Sequence, residues 1–423
     1  MIIYEFKCKG KEKQYRAIDE TIRTSQFIQN KCLRYWMDNK KIGRYDLNKY
    51  CAVLAQEFPF ADELNSMARQ SAAERSWSAI SRFYDNCKKK IKGKKGFPKF
   101  KKNCRSVEYK TSGWQLSPNR KAITFRDKKG IGTLKLKGTY DLNYYDIKQI
   151  KRVRLVRRAD GYYAQFAIDE AARCGGSPRC SDCRVDVRIE TQPTKKAVGL
   201  DLGLNHFIAD SNGNLELSPK FYRKAEKQLN RANRKKSKKF SKERKKAKAR
   251  QSNNYRKARN RYARKHLKVS RQRKEYCKKL AYSVVHSNDV IVYEDLNVKG
   301  MIKNRHLSKS ISDAGWSTFR QWLEYFGYKY GKITIAVPPY NTSQNCSNCG
   351  KKVKKSLSTR THVCGHCNYV EDRDINASIN ILRLGLSTLG HSGTHAWGET
   401  PSWAIGVNLS SNGDSLNQES PEF

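Results

Sequence analysis

The stretch AVGLDLGLNHFIADSNGN, residues 197–214, decides the fold of the C-terminal half of the chain. Its apolar start predicts a short buried strand, and Asp201 stands near the carboxyl end of that strand. Gly203 permits a close turn, after which a second apolar run and the Ser-Asn-Gly-Asn turn predict a hairpin with Asp210 as a turn residue. An acidic residue at the end of a core strand is held rigidly, which makes Asp201 a candidate functional residue.

Two later stretches each offer one more acidic residue of this kind. DVIVYEDLN predicts an apolar strand that ends at Glu294 or Asp295, and these neighbours face opposite sides of a strand, so only one can join a site. EDRDINASINILRL predicts a helix that begins at Asp374. Asp372 and Asp374 leave the same choice open, and the residues alone do not decide either pair.

Three carboxylates that converge repel one another unless cations lie between them. Carboxylate oxygens bind hard divalent metal ions. Two such ions about 3.5–4 Å apart contact both the attacking and the leaving oxygen of a phosphodiester. The sequence therefore predicts an α/β domain with a metal-dependent phosphodiesterase site, in which Ile375, Ile379 and Leu382 form the buried stripe of the last helix.

Four cysteines follow the spacing C-x2-C-x14-C-x2-C, at Cys346, Cys349, Cys364 and Cys367. This spacing is typical of a zinc ribbon, in which four thiolates surround one zinc ion. Because four thiolates leave no open coordination position, we expect the zinc to be structural. Three further cysteines, Cys174, Cys180 and Cys183, have no matching second pair and are interpreted as free thiols.

The charge balance points to a polyanionic partner. The 423 residues contain 87 Lys and Arg against 39 Asp and Glu, a net charge of +48. Self-repulsion opposes folding of such a chain, and nucleic acid is the partner that compensates it best. The polar N-terminus and the unpaired cysteines argue against a secreted protein and favour the cytoplasm. No apolar stretch reaches transmembrane length.

The densest positive charge lies in residues 218–279, which we interpret as a basic helical insertion of the C-terminal domain. Two antiparallel helices are expected there. Alone, such a run would be repelled apart, so a surface that follows nucleic-acid phosphates is the favoured interpretation. Arg234, Lys235 and Lys236 are the representative candidate contacts.

The rest of the chain divides by composition and periodicity. A first strand, a long helical region with a basic connector, and a β-rich region with an Asp160-Gly161 hairpin turn precede a Gly- and Cys-rich break. The predicted domains are a β domain of residues 1–10 and 105–194, a helical domain of 11–104, a nuclease-like domain of 195–384 that contains a 340–370 zinc ribbon, and a disordered tail of 385–423.

The motifs GLDLGL, VYEDLNVKGMIKN, SISDAGWSTF, the two CxxC pairs and DRDINASINI occur in this order. Together they resemble the TnpB proteins of insertion sequences, which are relatives of type V CRISPR effectors. The resemblance is strong over residues 195–384, and the GFPKFKK segment and the Asp160-Gly161 hairpin also look like that family. The stretch 174–190 is a longer linker than the family usually has, and Asn-Ala-Ser at 376–378 replaces the commoner Asn-Ala-Ala.

The resemblance implies an RNA-guided DNA endonuclease that supports transposon maintenance. Its RNase H-like (RuvC) domain would use Asp201, Glu294 and Asp374 as catalytic ligands of two Mg²⁺ ions, and a β-barrel wedge domain interrupted by a helical recognition domain would precede it. The implied partners are a guide RNA from the transposon end and double-stranded DNA with a short adjacent motif. We expect a monomer at the nucleoid of a bacterium or archaeon.

Base pairing between guide and target would carry most of the sequence specificity. The N-terminal half would read the short adjacent motif, and its candidate contacts are Trp77, Arg82, Phe83, Phe97 and Lys99. Trp77 and Phe83 fit the core of a helix equally well. Two other functions stay open, a transposase that joins strands and a non-catalytic nucleic-acid-binding regulator, because fold alone does not decide function.

Overall fold

The computed structural model describes residues 2–391, apart from 91–92, 94, 144, 169–190, 248 and 357–358. The chain divides into two compact units, Met1–Val187 and Arg188–Phe423. Cys174, Cys180, Cys183 and most of the predicted 385–423 tail lie outside the described residues. No helix of the described part is both long and apolar enough to cross a membrane.

The first unit combines one antiparallel sheet with four helices. The strands stand in the order β2-β6-β7-β1-β5-β4-β3. They are β1 (Ile2–Lys9), β2 (Ser106–Lys110), β3 (Trp114–Leu116), β4 (Ala122–Phe125), β5 (Gly132–Lys137), β6 (Ile150–Arg158) and β7 (Gly161–Ile168). The helices are α1 (Glu12–Asp38), α2 (Arg44–Glu57), α3 (Pro59–Asp62) and α4 (Ser66–Lys88). β6 and β7 form the hairpin predicted at Asp160-Gly161.

The helices and the sheet of this unit share one hydrophobic core. Ile18 and Leu54 from the helices belong to the same buried cluster as Tyr109 and Ile123 from the strands. The sequence separated a helical domain, 11–104, from a β domain. In the structure the two parts share this core, because α1 and α4 pack on β2 while α2 packs on α1 and α4.

The second unit is built on a five-stranded mixed sheet of order β10-β9-β8-β11-β12. The strands are β8 (Ala197–Asp201), β9 (His206–Asp210), β10 (Leu215–Leu217), β11 (Val290–Glu294) and β12 (Ile333–Val337). β8, β9 and β10 are antiparallel, whereas β11 runs parallel to both β8 and β12. The predicted hairpin is confirmed, and Asp210 accepts hydrogen bonds from the N–H groups of Asn212 and Asn214 in its turn.

The second unit has seven helices among its described residues. They are α5 (Phe221–Lys238), α6 (Lys242–Lys246), α7 (Asn253–Ser287), α8 (Val298–Met301), α9 (Ser308–Ala314), α10 (Trp316–Lys329) and α11 (Arg373–His391), with a small ribbon of β13 (Thr361–Val363) and β14 (Val370–Asp372) before α11. Helices α7 and α10 pack on one face of the sheet and α11 on the other. Ile291 and Tyr293 of β11 pack with the end of α7 and with α10. Val290 and Val292 of the same strand pack with α11.

Two predicted boundaries differ from the structure. The basic insertion was expected to end at 279, but α7 continues to Ser287 and buries Ala281 and Val285 in the core. The disordered tail was expected to begin at 385, but α11 continues to His391. A Cβ atom at Gly385 would lie 2.4 Å from Val292 Cγ1, so this glycine belongs to the packed face of α11.

Candidate functional site

Two of the predicted acidic residues end neighbouring parallel strands. Tyr293 of β11 pairs with Leu200 of β8, which brings the next residues, Glu294 and Asp201, side by side at the carboxyl edge of the sheet. Glu294 is buried, with 7% of its surface exposed. Its carboxylate accepts a hydrogen bond from Thr342 Oγ1 at 2.6 Å.

The third carboxylate reaches this edge because α11 lies very close to β8. A Cβ atom at Gly199 would stand 2.1 Å from the backbone oxygen of Ser378, so only glycine permits this approach. Asp374 sits in the first turn of α11 and is buried. A Cβ atom at Gly203, just after β8, would lie 4.0 Å from Asp374 Oδ2. The helix start and the strand end therefore meet.

The electrostatics show that Asp201 lies within reach of the charges of the other two carboxylates. Burial raises the pKa of Asp201 well above its usual range, and the nearby charges of Glu294 and Asp374 raise it further. Burial also raises the pKa of Glu294, against the opposing effect of the Thr342 hydrogen bond. A site that disfavours its own ionised form in this way is suited to a cation that restores the balance.

Asp374 has several positively charged or potentially charged neighbours. Its Oδ1 accepts hydrogen bonds from Arg373 Nε and Nη2, both at 3.1 Å. Its Oδ2 lies 3.7 Å from Arg360 Nη1 and 3.9 Å from His206 Nδ1. The His206 Nδ1 atom is buried and makes no hydrogen bond. These contacts offset part of the cost of burying the carboxylate.

The members of both pairs that the sequence left open have different surroundings in the structure. Asp295 is exposed and forms an ion pair with Arg320, so Glu294 is the inward member. Asp372 Oδ1 accepts hydrogen bonds from the N–H groups of Asp374 and Ile375, which makes it the cap of α11. Asp374 is the member beside Asp201.

The four predicted cysteines form a tight cluster. Their sulfurs all lie within 4.8 Å of one another, with Cys346–Cys367 at 3.7 Å and Cys349–Cys364 at 3.6 Å. Tetrahedral zinc with bonds of about 2.3 Å places its sulfurs about 3.7 Å apart. Although burial disfavours the thiolate, the N–H groups of His366 and Cys367 donate to Cys364 Sγ, and its pKa falls to about 6. The cluster is suited to hold zinc.

Among the described residues, the cysteines are the one group of His, Cys, Asp and Glu side chains that is close enough to hold a metal ion without rearrangement. The three carboxylates do not form so tight a group. Strand pairing places Asp201 beside Glu294, whereas the Asp374 carboxylate forms ion pairs with Arg373 and Arg360. The carboxylates are therefore grouped less tightly than the cysteine sulfurs.

Two asparagines of α11 connect the cysteine cluster to the carboxylates. Asn376 is fully buried, accepts a hydrogen bond from Ser347 N–H and donates one to the Asn345 carbonyl oxygen. Asn380 donates to the carbonyl oxygens of Thr342 and Asn345. These hydrogen bonds attach the segment that bears Cys346 to α11, the helix that bears Asp374. The same segment contains Thr342, which donates the hydrogen bond to Glu294.

The sequence interpretation missed three residues of this site, Thr342, His206 and Arg360. Each contacts a carboxylate that is distant in sequence or lies on another element, so no local pattern marks it. The predicted stripe of α11 is also partly wrong. Ile375 and Ile379 are only half-buried, and the helix instead buries Ala377, Ser378 and Ile381.

The candidate nucleic-acid contacts of the first unit fall into two groups. Trp77 packs against the hydrophobic core, so it is a core residue as the alternative interpretation held. Arg82 and Lys99 are exposed. Phe97 is 52% exposed, and its ring centroid lies 5.3 Å from that of the half-buried Phe83. The candidates Arg234, Lys235 and Lys236 all lie on α5, with Lys236 Nζ 4.4 Å from the ring centroid of Tyr262.

Comparisons with known protein families match this second unit. Residues 181–305 match the family model OrfB_IS605, described as "Probable transposase". Residues 316–381 match the "Cas12f1-like, TNB domain". Together the two models cover the strands, helices and cysteines that carry the candidate site.

The chain also resembles individual proteins. It is 29% identical over 397 residues to a Streptomyces pristinaespiralis protein named "Putative RNA-guided DNA endonuclease", covering 91% of this chain and 89% of that one. It is 34% identical over 134 residues to "TnpB-like protein L79" of Acanthamoeba polyphaga mimivirus, covering 30% of this chain and 26% of that one.

Among solved structures, one match is the "Cryo-EM structure of the Cas12f1-sgRNA-target DNA complex", with a TM-score of 0.50 at 15% identity, covering 88% of this chain and 83% of that chain. This likeness concerns the fold. The resemblance to TnpB-like proteins that the sequence motifs indicate is confirmed by these comparisons.

Proposed function

We propose that this chain, a relative of the TnpB-like proteins, is an RNA-guided DNA endonuclease of an insertion sequence that cuts its target at one RuvC-type site. The observation that carries the proposal is the meeting of Asp201, Glu294 and Asp374 at one edge of the mixed sheet. Burial, together with the charges of Glu294 and Asp374, raises the pKa of Asp201 there. We call this domain RNase H-like because of its strand order, β10-β9-β8-β11-β12, and because α11 packs against β8. The working place of such an enzyme is the nucleoid in the cytoplasm of a bacterium or archaeon.

The donor set fits magnesium. Carboxylate oxygens close together in a partly buried site favour a hard divalent cation. Two ions need ligands that are more widely spaced than the four cysteine sulfurs, as the carboxylates are. Two Mg²⁺ ions held by the three carboxylates would make a water nucleophilic at neutral pH and neutralise charge on the phosphodiester.

The protein's own residues position these ligands. Thr342 fixes the Glu294 carboxylate, and Asp372 caps the helix whose first turn carries Asp374. Arg373 and Arg360 form ion pairs with Asp374 and hold positive charge beside it. One zinc at the four cysteines would keep the segment of Thr342 folded on α11.

The first unit is proposed to serve recognition. Its sheet corresponds to the wedge-like β part and its helices α1–α4 to the recognition part that the resemblance implies. The exposed Arg82 and Lys99 and the half-exposed ring of Phe97 are suited to contact duplex DNA beside the target, since cations bind phosphates and exposed aromatic rings contact bases or sugars. A guide RNA would supply the rest of the specificity.

The decisive experiment is cleavage of one plasmid with two unrelated synthetic guides. The protein is expressed together with its flanking DNA, and any RNA that copurifies is sequenced to define the guide scaffold. The expected result is that the cut moves with the guide and disappears in the Asp201→Asn variant. A cut at a fixed DNA sequence with either guide, or products that join two DNA ends, would instead support a guide-independent nuclease or a strand-transferring transposase.

A further inference from the structure

A positively charged groove of about 540 Å³ lies between α5 and α7. Six cationic side chains, two amides and two alanines line it, and no acidic side chain does. They are Gln228, Arg231, Ala232, Lys235, Lys239, Asn254, Lys257, Ala258, Arg261 and Lys265. All six cations are exposed to solvent, where a ligand in the groove can reach them.

The two walls of the groove repeat one pattern. In each copy an amide residue is followed by cationic residues three, seven and eleven positions later, and an alanine comes directly after the first cation. The first copy runs from Gln228 to Lys239, and the second from Asn254 to Lys265. These spacings place the five residues of a copy on one face of a helix. The small alanines, Ala232 and Ala258, leave room between the rows of cations.

The two copies lie opposite each other and run antiparallel. Three contacts of α5 and the residues just after it with α7 define this order. Lys265 Nζ donates to Gln228 Oε1 at 3.0 Å, Lys236 Nζ lies 4.4 Å from the Tyr262 ring centroid, and the ring centroids of Phe240 and Tyr255 are 5.5 Å apart. Residue numbers rise along one helix as they fall along the other. The start of one copy therefore lies opposite the end of the other, and the groove has an approximate two-fold axis through its centre.

The base of the groove is firmly anchored. Asp313 of α9 is buried and accepts hydrogen bonds from the N–H groups of Tyr222 and Arg223 in the first turn of α5. The same carboxylate accepts a hydrogen bond from Arg273 of α7 at 3.0 Å. Both helices are thus tied to one buried group. Rows of like charge are held opposite each other here, at an electrostatic cost that a bound polyanion would remove.

We infer that this groove binds the two backbones of a double-stranded, RNA-containing ligand, with one row of cations on each strand. This inference rests on the proposed function, which supplies two such ligands, a stem within the guide RNA and the guide–target hybrid. A single strand has a direction and no dyad, whereas the antiparallel strands of a duplex are related by dyads that match the two-fold pattern of the groove.

Spacing and chemistry agree with this assignment. Cations four residues apart on a helix are separated by about 6 Å along its axis, which is comparable with the spacing of successive phosphates in a strand. The amides of Gln228 and Asn254 stand at opposite ends of the groove. An amide can both donate to and accept from a 2′-hydroxyl group, the feature that distinguishes RNA from DNA.

The test compares two variants of the full-length protein that each lose three positive charges from the same two helices. The groove variant carries Arg231→Gln, Lys257→Gln and Arg261→Gln. The control carries Lys227→Gln, Arg256→Gln and Arg259→Gln, which are exposed positions outside the groove lining. Binding is measured by fluorescence anisotropy in magnesium-free buffer. The probes are an RNA duplex, an RNA–DNA hybrid, a DNA duplex and a single-stranded RNA of the same sequence.

We expect the groove variant to lose affinity for the RNA duplex, the hybrid or both, and the control to bind nearly as the parent does. Each lost phosphate contact lowers the log–log salt slope by about 0.7–0.9. Three lost contacts would therefore reduce the affinity change between 50 and 200 mM salt by roughly 20- to 40-fold. Whether the RNA duplex or the hybrid is affected more tells which of the two sources occupies the groove.

Three results would overturn the inference. Equal weakening by both variants would mean that the helices are only a solvated basic face. Equal loss for single-stranded RNA would exclude a duplex site, and equal loss for the DNA duplex would exclude recognition of RNA. Guide-dependent cutting is measured separately with the parent protein, so a failure of the groove and a failure of the proposed function give different results.

Discussion

The four cysteines and the three carboxylates are both suited to metal ions, but they are assembled in opposite ways. The cysteines lie within 22 residues of one another in sequence and their sulfurs stand close together. The carboxylates come from β8, β11 and α11, and burial together with the charges of Glu294 and Asp374 raises the pKa of Asp201. The cysteine cluster is therefore set by local spacing, and the carboxylate site by the packing of the whole unit.

This difference assigns opposite energetic roles to the two sites. A structural zinc ion contributes folding free energy directly, because the metal site rarely exists in the unfolded chain. Buried carboxylates that crowd one another cost folding free energy, which the protein tolerates for function. Removal of a ligand should consequently destabilise the fold at the cysteines and leave it unchanged or more stable at the carboxylates.

The largest effect is expected for Asp201→Asn. Cutting should fall by at least about 10³-fold, because metal ligation supplies several kcal/mol of transition-state stabilisation and each 1.4 kcal/mol is worth a factor of about ten in rate. Thermal unfolding in metal-free buffer should occur at the same temperature as in the parent or higher, since asparagine removes a repelling charge without changing the shape of the side chain.

The neighbouring acidic residues provide matched controls for this experiment. Glu294→Gln and Asp374→Asn should abolish cutting as Asp201→Asn does, whereas Asp295→Asn and Asp372→Asn should retain most of it. Asp295 is exposed and paired with Arg320, and Asp372 caps a helix, so neither faces the site. Normal cutting by Asp374→Asn together with loss of cutting in Asp372→Asn would show that the third ligand is wrongly assigned.

The next effect is expected for Cys364→Ser. Elemental analysis should find one zinc per chain in the parent and none in this variant, and hydrogen exchange should show loss of protection around residues 340–380. Cutting should drop by up to about 100-fold, as is usual when the residues that support metal ligands are disturbed. His366→Ala is the control, because His366 is exposed between two ligands and should leave the zinc content unchanged. A zinc-free Cys364→Ser chain that folds and cuts normally would contradict the structural role.

A smaller effect is expected for Asn376→Ala, which tests the attachment of the cysteine-bearing segment to α11. Its hydrogen bonds to Ser347 and Asn345 are lost, and a buried unsatisfied partner costs about 1–3 kcal/mol. Cutting should fall by about tenfold while one zinc per chain is retained. Ser387→Ala, on the exposed side of the same helix, is the control. Loss of zinc in Asn376→Ala would mean that the asparagine stabilises the cysteine cluster itself rather than its attachment to α11.

The sequence predicted what depends on short spacing and missed what depends on packing. The cysteine cluster, the β8–β9 hairpin and the start of α11 follow from local patterns. The choice between Glu294 and Asp295 does not, because both continue the same strand and only the burial of Glu294 beneath Thr342 separates them. The helices of the first unit were separated from its sheet because composition does not reveal a shared core.

The missed parts of the second unit have similar causes. The buried face of α11 was misread because the close approach at Gly199 buries Ser378, a polar residue that a hydrophobic pattern does not select. The repeated cation pattern of α5 and α7 is visible in the sequence. It gains meaning only when the antiparallel contact of the two helices places the copies opposite each other.

The smallest effect is expected for added magnesium, and it tests the comparison most directly. If the carboxylates bind ions in the folded state only, saturating Mg²⁺ at about 100 times its dissociation constant should stabilise the protein by about 2.7 kcal/mol, which corresponds to several degrees in unfolding temperature. Asp201→Asn should lose most of this shift, although its own fold is no less stable. The parent and Cys364→Ser are compared in the same titration, because zinc loss should lower the unfolding temperature without abolishing the response to magnesium. An equal magnesium shift in the parent and in Asp201→Asn would mean that the ions bind elsewhere on the chain, and the crowding of the three carboxylates would then need another explanation.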